Sequence, residues 1–170
     1  MADIIKVSTR EQIVEVARLA REVWTEHYTP IIGQAQVDYM LGRFQSVEAI
    51  EGQLASGCIY YTVGSSGGIE GYMALIPEID GTTLLSKLYV RSAVRGRGLG
   101  KALLAQAEAD CRAHQSRCLW LTVNKYNTDT LAWYEYMGFR NTGPVVQEIG
   151  EGFVMDDYRM EKPHASVDLR

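Results

Sequence analysis

Two hydrophobic rhythms divide the chain. Ile13, Ala17, Ala20 and Trp24 recur at helical spacing, and Ser8-Thr9-Arg10-Glu11 ahead of them reads as a capping box with Ser8 as N-cap. This predicts a helix to about Glu26, stopped at His27-Tyr28-Thr29-Pro30 because a residue before proline resists helical geometry. Residues 34–42 and 47–55 read as two further short helices, the second capped by Ser46. A short strand at 4–7 precedes all three. From residue 58 the period changes. Residues 58–63 and 69–76 are rich in β-formers and flank the turn Gly64-Ser65-Ser66-Gly67-Gly68, which predicts a hairpin. Asp80-Gly81 marks another turn, and 82–90 a third strand.

The rhythm then alternates. A helix over 99–114 leads to the apolar run 118–123, which reads as a strand buried on both faces. Strand, helix, strand over 82–123 predicts a βαβ crossover with parallel strands. A helix over 128–137 ends at Gly138 as its C′ glycine, and strands from 139 onward and over 153–160 close the chain. The tail from 163 to 170 is expected to fray.

Composition narrows the class. The 170 residues, 46% hydrophobic and 22% charged, suit a single soluble domain. No apolar run reaches the roughly 20 residues of a membrane span, and the first residues lack a signal-peptide pattern. Cys58, Cys111 and Cys118 form an odd, scattered set with no metal-ligand spacing, so no metal is expected, and reduced thiols point to a cytoplasmic setting. A net charge of −4 argues against nucleic acid as a partner. Positive charge gathers instead around Lys87 to Lys101, which suits a small polyanion.

The chemistry centres on Val90-Arg91-Ser92-Ala93-Val94-Arg95-Gly96-Arg97-Gly98-Leu99-Gly100-Lys101. Here a strand hands over to a helix N-terminus, where unpaired amides and the positive end of the helix dipole favour an anion. Glycines allow close approach, and arginines add charge. A Walker loop is excluded because Arg95 replaces its first glycine and Ala102 follows the lysine. A dinucleotide fingerprint is excluded because its third glycine would fall on Lys101 or Leu103. Arg-x-x-Gly-x-Gly remains, from Arg95 to Gly100. It resembles the pyrophosphate-binding motif of the GCN5-related N-acetyltransferases. A second segment strengthens the resemblance: Asn127, Tyr134, Gly138 and Phe139 match that family's closing motif, with Thr130 at its usual small-residue place. Ligands on such sheets bind at the carboxyl ends of the parallel strands, the edge where both segments are expected.

The resemblance implies an α/β (mixed α+β) fold: a mostly antiparallel sheet of about seven strands, a parallel βαβ core and helices on both faces, formed by one domain over residues 1–162. It implies acetyl-CoA as acetyl donor and a small-molecule amine as acceptor, and it leaves a homodimer open. Leu88, Tyr89, Val90, Arg95, Gly96, Arg97, Gly98, Leu99, Gly100, Lys101, Asn127 and Tyr134 would then contact acetyl-CoA. Backbone donors near 88–90 would face the thioester oxygen, and Tyr134 would protonate the departing thiolate. Asn127 is equally placed to cap its helix, and Tyr134 shares a face with Leu131 and Met137 that would suit a buried aromatic. The Lys87-Leu88-Tyr89-Val90 run and the ending from Gly152 to Met160 look similar to the branch that includes the polyamine-acetylating PaiA proteins. Amino acids and protein amines stay open as acceptors, as does a catalytically silent CoA-binding module. A general base is expected, and Glu26, His27, Tyr28, Glu78, Glu148, Asp156 and Asp157 are its candidates.

Overall fold

The computed structural model describes residues 2–164. In chain order the elements are β1 (Asp3–Lys6), α1 (Arg10–Ile32), α2 (Gln34–Phe44), α3 (Val47–Ala55), β2 (Ile59–Ser65), β3 (Gly68–Pro77) and β4 (Thr83–Val90). A single 3₁₀ turn (Ser92–Val94), α4 (Leu99–Ala113), β5 (Cys118–Asn124), α5 (Thr128–Tyr136), β6 (Arg140–Gly150) and β7 (Phe153–Pro163) follow. No helix among the described residues is long and apolar enough to cross a membrane. The strands are ordered β1-β2-β3-β4-β5-β7-β6. The chain divides into two compact units: residues up to Ile76 with Lys87–Ala107, and Pro77–Ser86 with residues from Glu108 on. β4 gives its later residues to the first unit and its earlier ones to the second.

In the first unit β1 and β2 pair antiparallel, with Ile4 opposite Val63, and β2 pairs antiparallel with β3, with Tyr61 opposite Met73. The helix α1 packs on α2 and α3. Val16, Ala20, Val37, Ile50, Tyr60 and Met73 are buried, the helical ones at the spacing that the amphipathic pattern sets. Two expectations shift here. The N-cap of α1 is Thr9 rather than Ser8, and Gln12 rather than Glu11 closes the box: its side chain accepts from the Ser8 and Thr9 amides at 2.7 and 2.9 Å. And α1 runs through Pro30 to a cap at Gly33. Proline removes one helical donor, but the Gly33 amide still bonds the Thr29 carbonyl at 3.0 Å. The fixed φ of proline is itself compatible with a helix, so one lost donor does not end α1, and Tyr28 continues its face with a ring centroid 4.4 Å from that of Trp24.

In the second unit β4 and β5 run parallel, with Thr83 opposite Leu119 and Leu84 opposite Trp120, as the βαβ pattern predicts. β5 pairs antiparallel with β7, and β7 with β6. Gly150, Glu151 and Gly152 turn the last hairpin with positive φ. β5 is not buried on both faces as its apolar run suggested. Leu119, Leu121 and Val123 are buried, while Trp120 and Thr122 are half-buried between them. The open face is held by polar contacts: the Trp120 indole donates to Glu78 Oε1 at 2.6 Å, and the Arg159 guanidinium lies 3.9 Å over its ring. At the far end of β7 the His164 amide bonds the Arg117 carbonyl at 2.9 Å, and the remaining tail, 165–170, lies outside the described residues.

One glycine sets how closely β3 and β4 approach. A Cβ on Gly71 would sit 2.9 Å from the Tyr89 carbonyl oxygen and 2.9 Å from Val63 Cγ1. Backbone cannot yield cheaply, so Gly71→Ala is expected to cost about 1–3 kcal/mol, as overpacking does. Urea unfolding checks this, and an unchanged midpoint would refute it.

Candidate active site

In the first unit β4 ends at Val90 and the chain enters the glycine turn through two anchors. Arg91 Nε donates to Glu22 Oε2 at 2.8 Å, and the Ser92 hydroxyl donates to Glu26 Oε1 at 2.7 Å. The Arg91 amide bonds the Glu70 carbonyl at 2.8 Å. After the 3₁₀ turn, Gly96 and Gly98 take φ of 84° and 79°, the left-handed region that disfavours side chains. A Cβ at either would meet nothing within 4 Å, so conformation rather than crowding calls for glycine. The first bond of α4 joins the Ala102 amide to the Gly98 carbonyl at 2.9 Å. The amides of Leu99, Gly100 and Lys101 precede that bond and gather at the positive end of a 15-residue helix. Arg95, Arg97 and Lys101 are exposed around them, whereas Val94 and Leu99 are buried and pin the turn at both ends. The geometry and the charge fit a phosphate-bearing group.

Leu88, Tyr89 and Val90 are half-buried. The Tyr89 ring lies among Trp24, Tyr72 and Tyr28, with centroids 5.5, 5.6 and 6.2 Å away. Glu26, His27 and Tyr28 belong to α1 rather than to a loop after it, because the helix continues past the proline.

Lys87 departs most from expectation. It is 5% exposed, so it takes no part in the basic surface patch. Its ammonium donates to the Phe44 carbonyl, to the Tyr60 hydroxyl and, at 2.9 Å, to Gln53 Oε1. Burial pulls its pKa down to about 7. The same desolvation pushes the Tyr60 hydroxyl well up and raises the Cys58 thiol. The alternation of buried Thr83, Leu85 and Lys87 along β4 is the signal that would have placed this lysine inward.

In the second unit Asn127 precedes α5 and is 4% exposed. Its carbonyl accepts the Leu131 amide at 3.1 Å, which makes it the N-cap by backbone, yet its side chain caps nothing. Among the described residues its carboxamide nitrogen is buried with no hydrogen-bond partner. Buried donors are rarely left so, and the capping role alone does not explain this one. Tyr134, seven residues on, stands two helical turns along the same face. It is 6% exposed, with Trp133 and Phe139 ring centroids at 4.9 and 5.3 Å.

The acidic ending separates by environment. Glu148 and Glu151 are exposed, and Asp156 is paired with Lys125. Asp157 is 5% exposed, and desolvation lifts its carboxyl to about 6 against a hydrogen bond from Thr122 that lowers it. Cys111 and Cys118 are free thiols that burial raises, so neither carries the signature of a reactive nucleophile.

Known proteins resemble this chain in sequence and in fold. Residues 16–139 match the family model described as acetyltransferase (GNAT) family. The chain is 24% identical over 156 residues to an uncharacterized N-acetyltransferase in the pepI 3′ region of Lactobacillus delbrueckii subsp. lactis, covering 87% of this chain and 90% of that one. It is 28% identical over 97 residues to the streptothricin acetyltransferase of Streptomyces lavendulae, covering 56% of this chain and 51% of the other. In fold it is similar to the PaiA N-acetyltransferase of Thermoplasma acidophilum, solved in complex with coenzyme A, with a TM-score of 0.81 and 21% identity over 96% of this chain and 99% of that one.

Proposed function

From the premise that this chain belongs to the GNAT acetyltransferase family, we propose that it transfers the acetyl group of acetyl-CoA to a primary amine, with polyamines as the leading acceptor class. A single domain over residues 1–162 carries the reaction. The observation that carries the reading is Asn127, a motif residue whose buried carboxamide nitrogen lacks a partner among the described residues and whose side chain does not cap its helix. A ligand arm bearing carbonyl oxygens would satisfy that donor.

When bound, acetyl-CoA supplies a thioester carbon open to attack by an amine. The amides of Arg97 to Lys101, with the charge of Arg95 and Arg97, hold its pyrophosphate. Backbone donors along Leu88, Tyr89 and Val90 face the carbonyl oxygen as it gains charge. Asn127 holds the pantetheine arm. Tyr134 gives its proton to the departing sulfur: a phenol near pKa 10 donating to a thiolate whose acid lies near 8.5 is uphill by only about 2 kcal/mol. The PaiA likeness supports a polyamine through fold and name alone, and the exposed Glu148 and Glu151 add no buried acidic lining to it.

A melting experiment tests the donor half of this reading. At a hundredfold excess of acetyl-CoA over its Kd, the midpoint should rise by about 5–10 °C. Arg95→Ala/Arg97→Ala, at two exposed positions, should leave the unliganded midpoint within about 1 °C and weaken binding about 10- to 100-fold. No shift in the parent protein, or an undiminished shift in the double variant, would contradict the cradle.

A further inference from the structure

Direct transfer to an amine needs a base, because an alkyl ammonium near pKa 10 is almost wholly protonated at neutral pH and has no lone pair to attack with. Several carboxylates in the sequence are candidates, and the structure separates them. Glu22 and Glu26 hold the glycine turn through Arg91 and Ser92. Glu78 accepts the Trp120 indole N–H. Asp156 is bound to Lys125, and Glu148 is exposed.

Asp157 differs from all of them. It stands opposite Asn124 in the β5–β7 ladder, at the carboxyl end of the parallel strand β5. Directly opposed residues of an antiparallel pair share a face, so Asp157, Asn124 and, diagonally, Thr122 project together. The carbonyl of Asn124 accepts the Asn127 amide at 2.9 Å, which joins this residue cluster to the buried carboxamide of Asn127. Its charged surroundings are all engaged elsewhere. Lys125 neutralises Asp156, and Arg159, two residues along the same face, bonds Glu161 at 2.8 Å and covers Trp120. Its β6 partner is the apolar Val145. Among the described residues the carboxyl therefore has no counter-ion of its own, and burial, with the neighbouring Asp156 charge adding to it, raises it toward neutrality, the range in which a general base works best.

We propose that Asp157 is the general base that takes the ammonium proton of the acceptor amine. This rests on the acetyltransferase reading above. In the step, the carboxylate accepts one proton from the ammonium and passes it to solvent. The freed lone pair forms the C–N bond to the thioester carbon, and the C–S bond breaks. The thiolate takes the Tyr134 proton, and the second proton of the nitrogen returns to Tyr134, so one proton is released per acetyl group moved.

Asp157→Asn tests this, with amine-dependent thiol release, pH profiles and melting as readouts. For an alkylamine at pH 7.5, kcat/KM should fall about 100-fold or more, and the limb that rises through pH 6 in the parent enzyme should vanish. For a fluorinated primary amine already neutral at that pH, the loss should shrink to within about fivefold. The variant should remain folded: a carboxyl raised from 3.8 to about 6 stabilises the fold below 3.8 and loses that contribution as pH rises through 6, so asparagine should melt at or above the parent at pH 7.5. An equal loss with both amines, or a retained acid limb, would overturn the assignment. A parent enzyme with no amine-dependent release would instead refute the acetyltransferase reading itself.

Discussion

Tyr134→Phe is expected to lower kcat about 100-fold or more while KM for acetyl-CoA stays within about threefold. Ring and hydroxyl play separate parts. The ring is buried against Trp133 and Phe139, and phenylalanine keeps those contacts. The proton donor is lost, and general acids contribute about 10²- to 10⁴-fold. Without it the sulfur must leave as a bare thiolate, a form still accessible near pKa 8.5, which is why activity should fall rather than disappear. Steady-state kinetics across pH checks this. A parent-like kcat throughout would remove Tyr134 from the chemistry and leave it as a packing residue.

Lys87 carries the largest expected effect on stability. Its buried ammonium is harder to protonate in the folded chain than in the unfolded one, with a pKa near 7 against an ordinary 10.5. Between those values the unfolded chain binds the extra proton, so stability rises with pH. One proton is worth about 1.4 kcal/mol per pH unit, which gives a gain of about 2 kcal/mol from pH 7 to pH 8.5. The window stops below the ordinary thiol value of 9.0, because the raised Cys58, Cys111 and Cys118 pull the other way above it. Lys87→Met should abolish the gain. The variant can still fold, since Tyr60 donates to Gln53 and Gln53 Nε2 donates to the Phe44 carbonyl at 3.0 Å without the lysine. Urea unfolding at the two pH values is the measurement, and equal slopes in parent and variant would refute it.

These two residues illustrate what the sequence could and could not convey. Tyr134, Asn127 and the glycine turn were legible because each answers to backbone geometry at fixed spacing: left-handed φ at Gly96 and Gly98, a helix start at Leu99, two turns from Asn127 to Tyr134. Lys87 was hidden because a lysine beside arginines reads as surface charge until the alternation of β4 is followed inward. The run Asp156-Asp157 looked uniform, and only the β5–β7 register turned one carboxylate toward Lys125 and buried its neighbour. Pro30 reads locally as a stop, yet α1 runs past it to Gly33, whose amide still bonds the Thr29 carbonyl. Strand order was accessible in part: the βαβ unit follows from element order, whereas the insertion of β7 between β5 and β6 depends on long-range pairing that no local pattern encodes.

The central claim is acetyl transfer to an amine, and release of free thiol from acetyl-CoA measures it most directly. Spermidine, spermine, short diamines, amino acids and a lysine peptide would serve as acceptors. Release is expected to depend on the added amine, saturate with it, be fastest with a polyamine and fall about 100-fold or more in Tyr134→Phe. Release at the same rate with and without any amine, or none with every acceptor despite a clear acetyl-CoA melting shift, would contradict it.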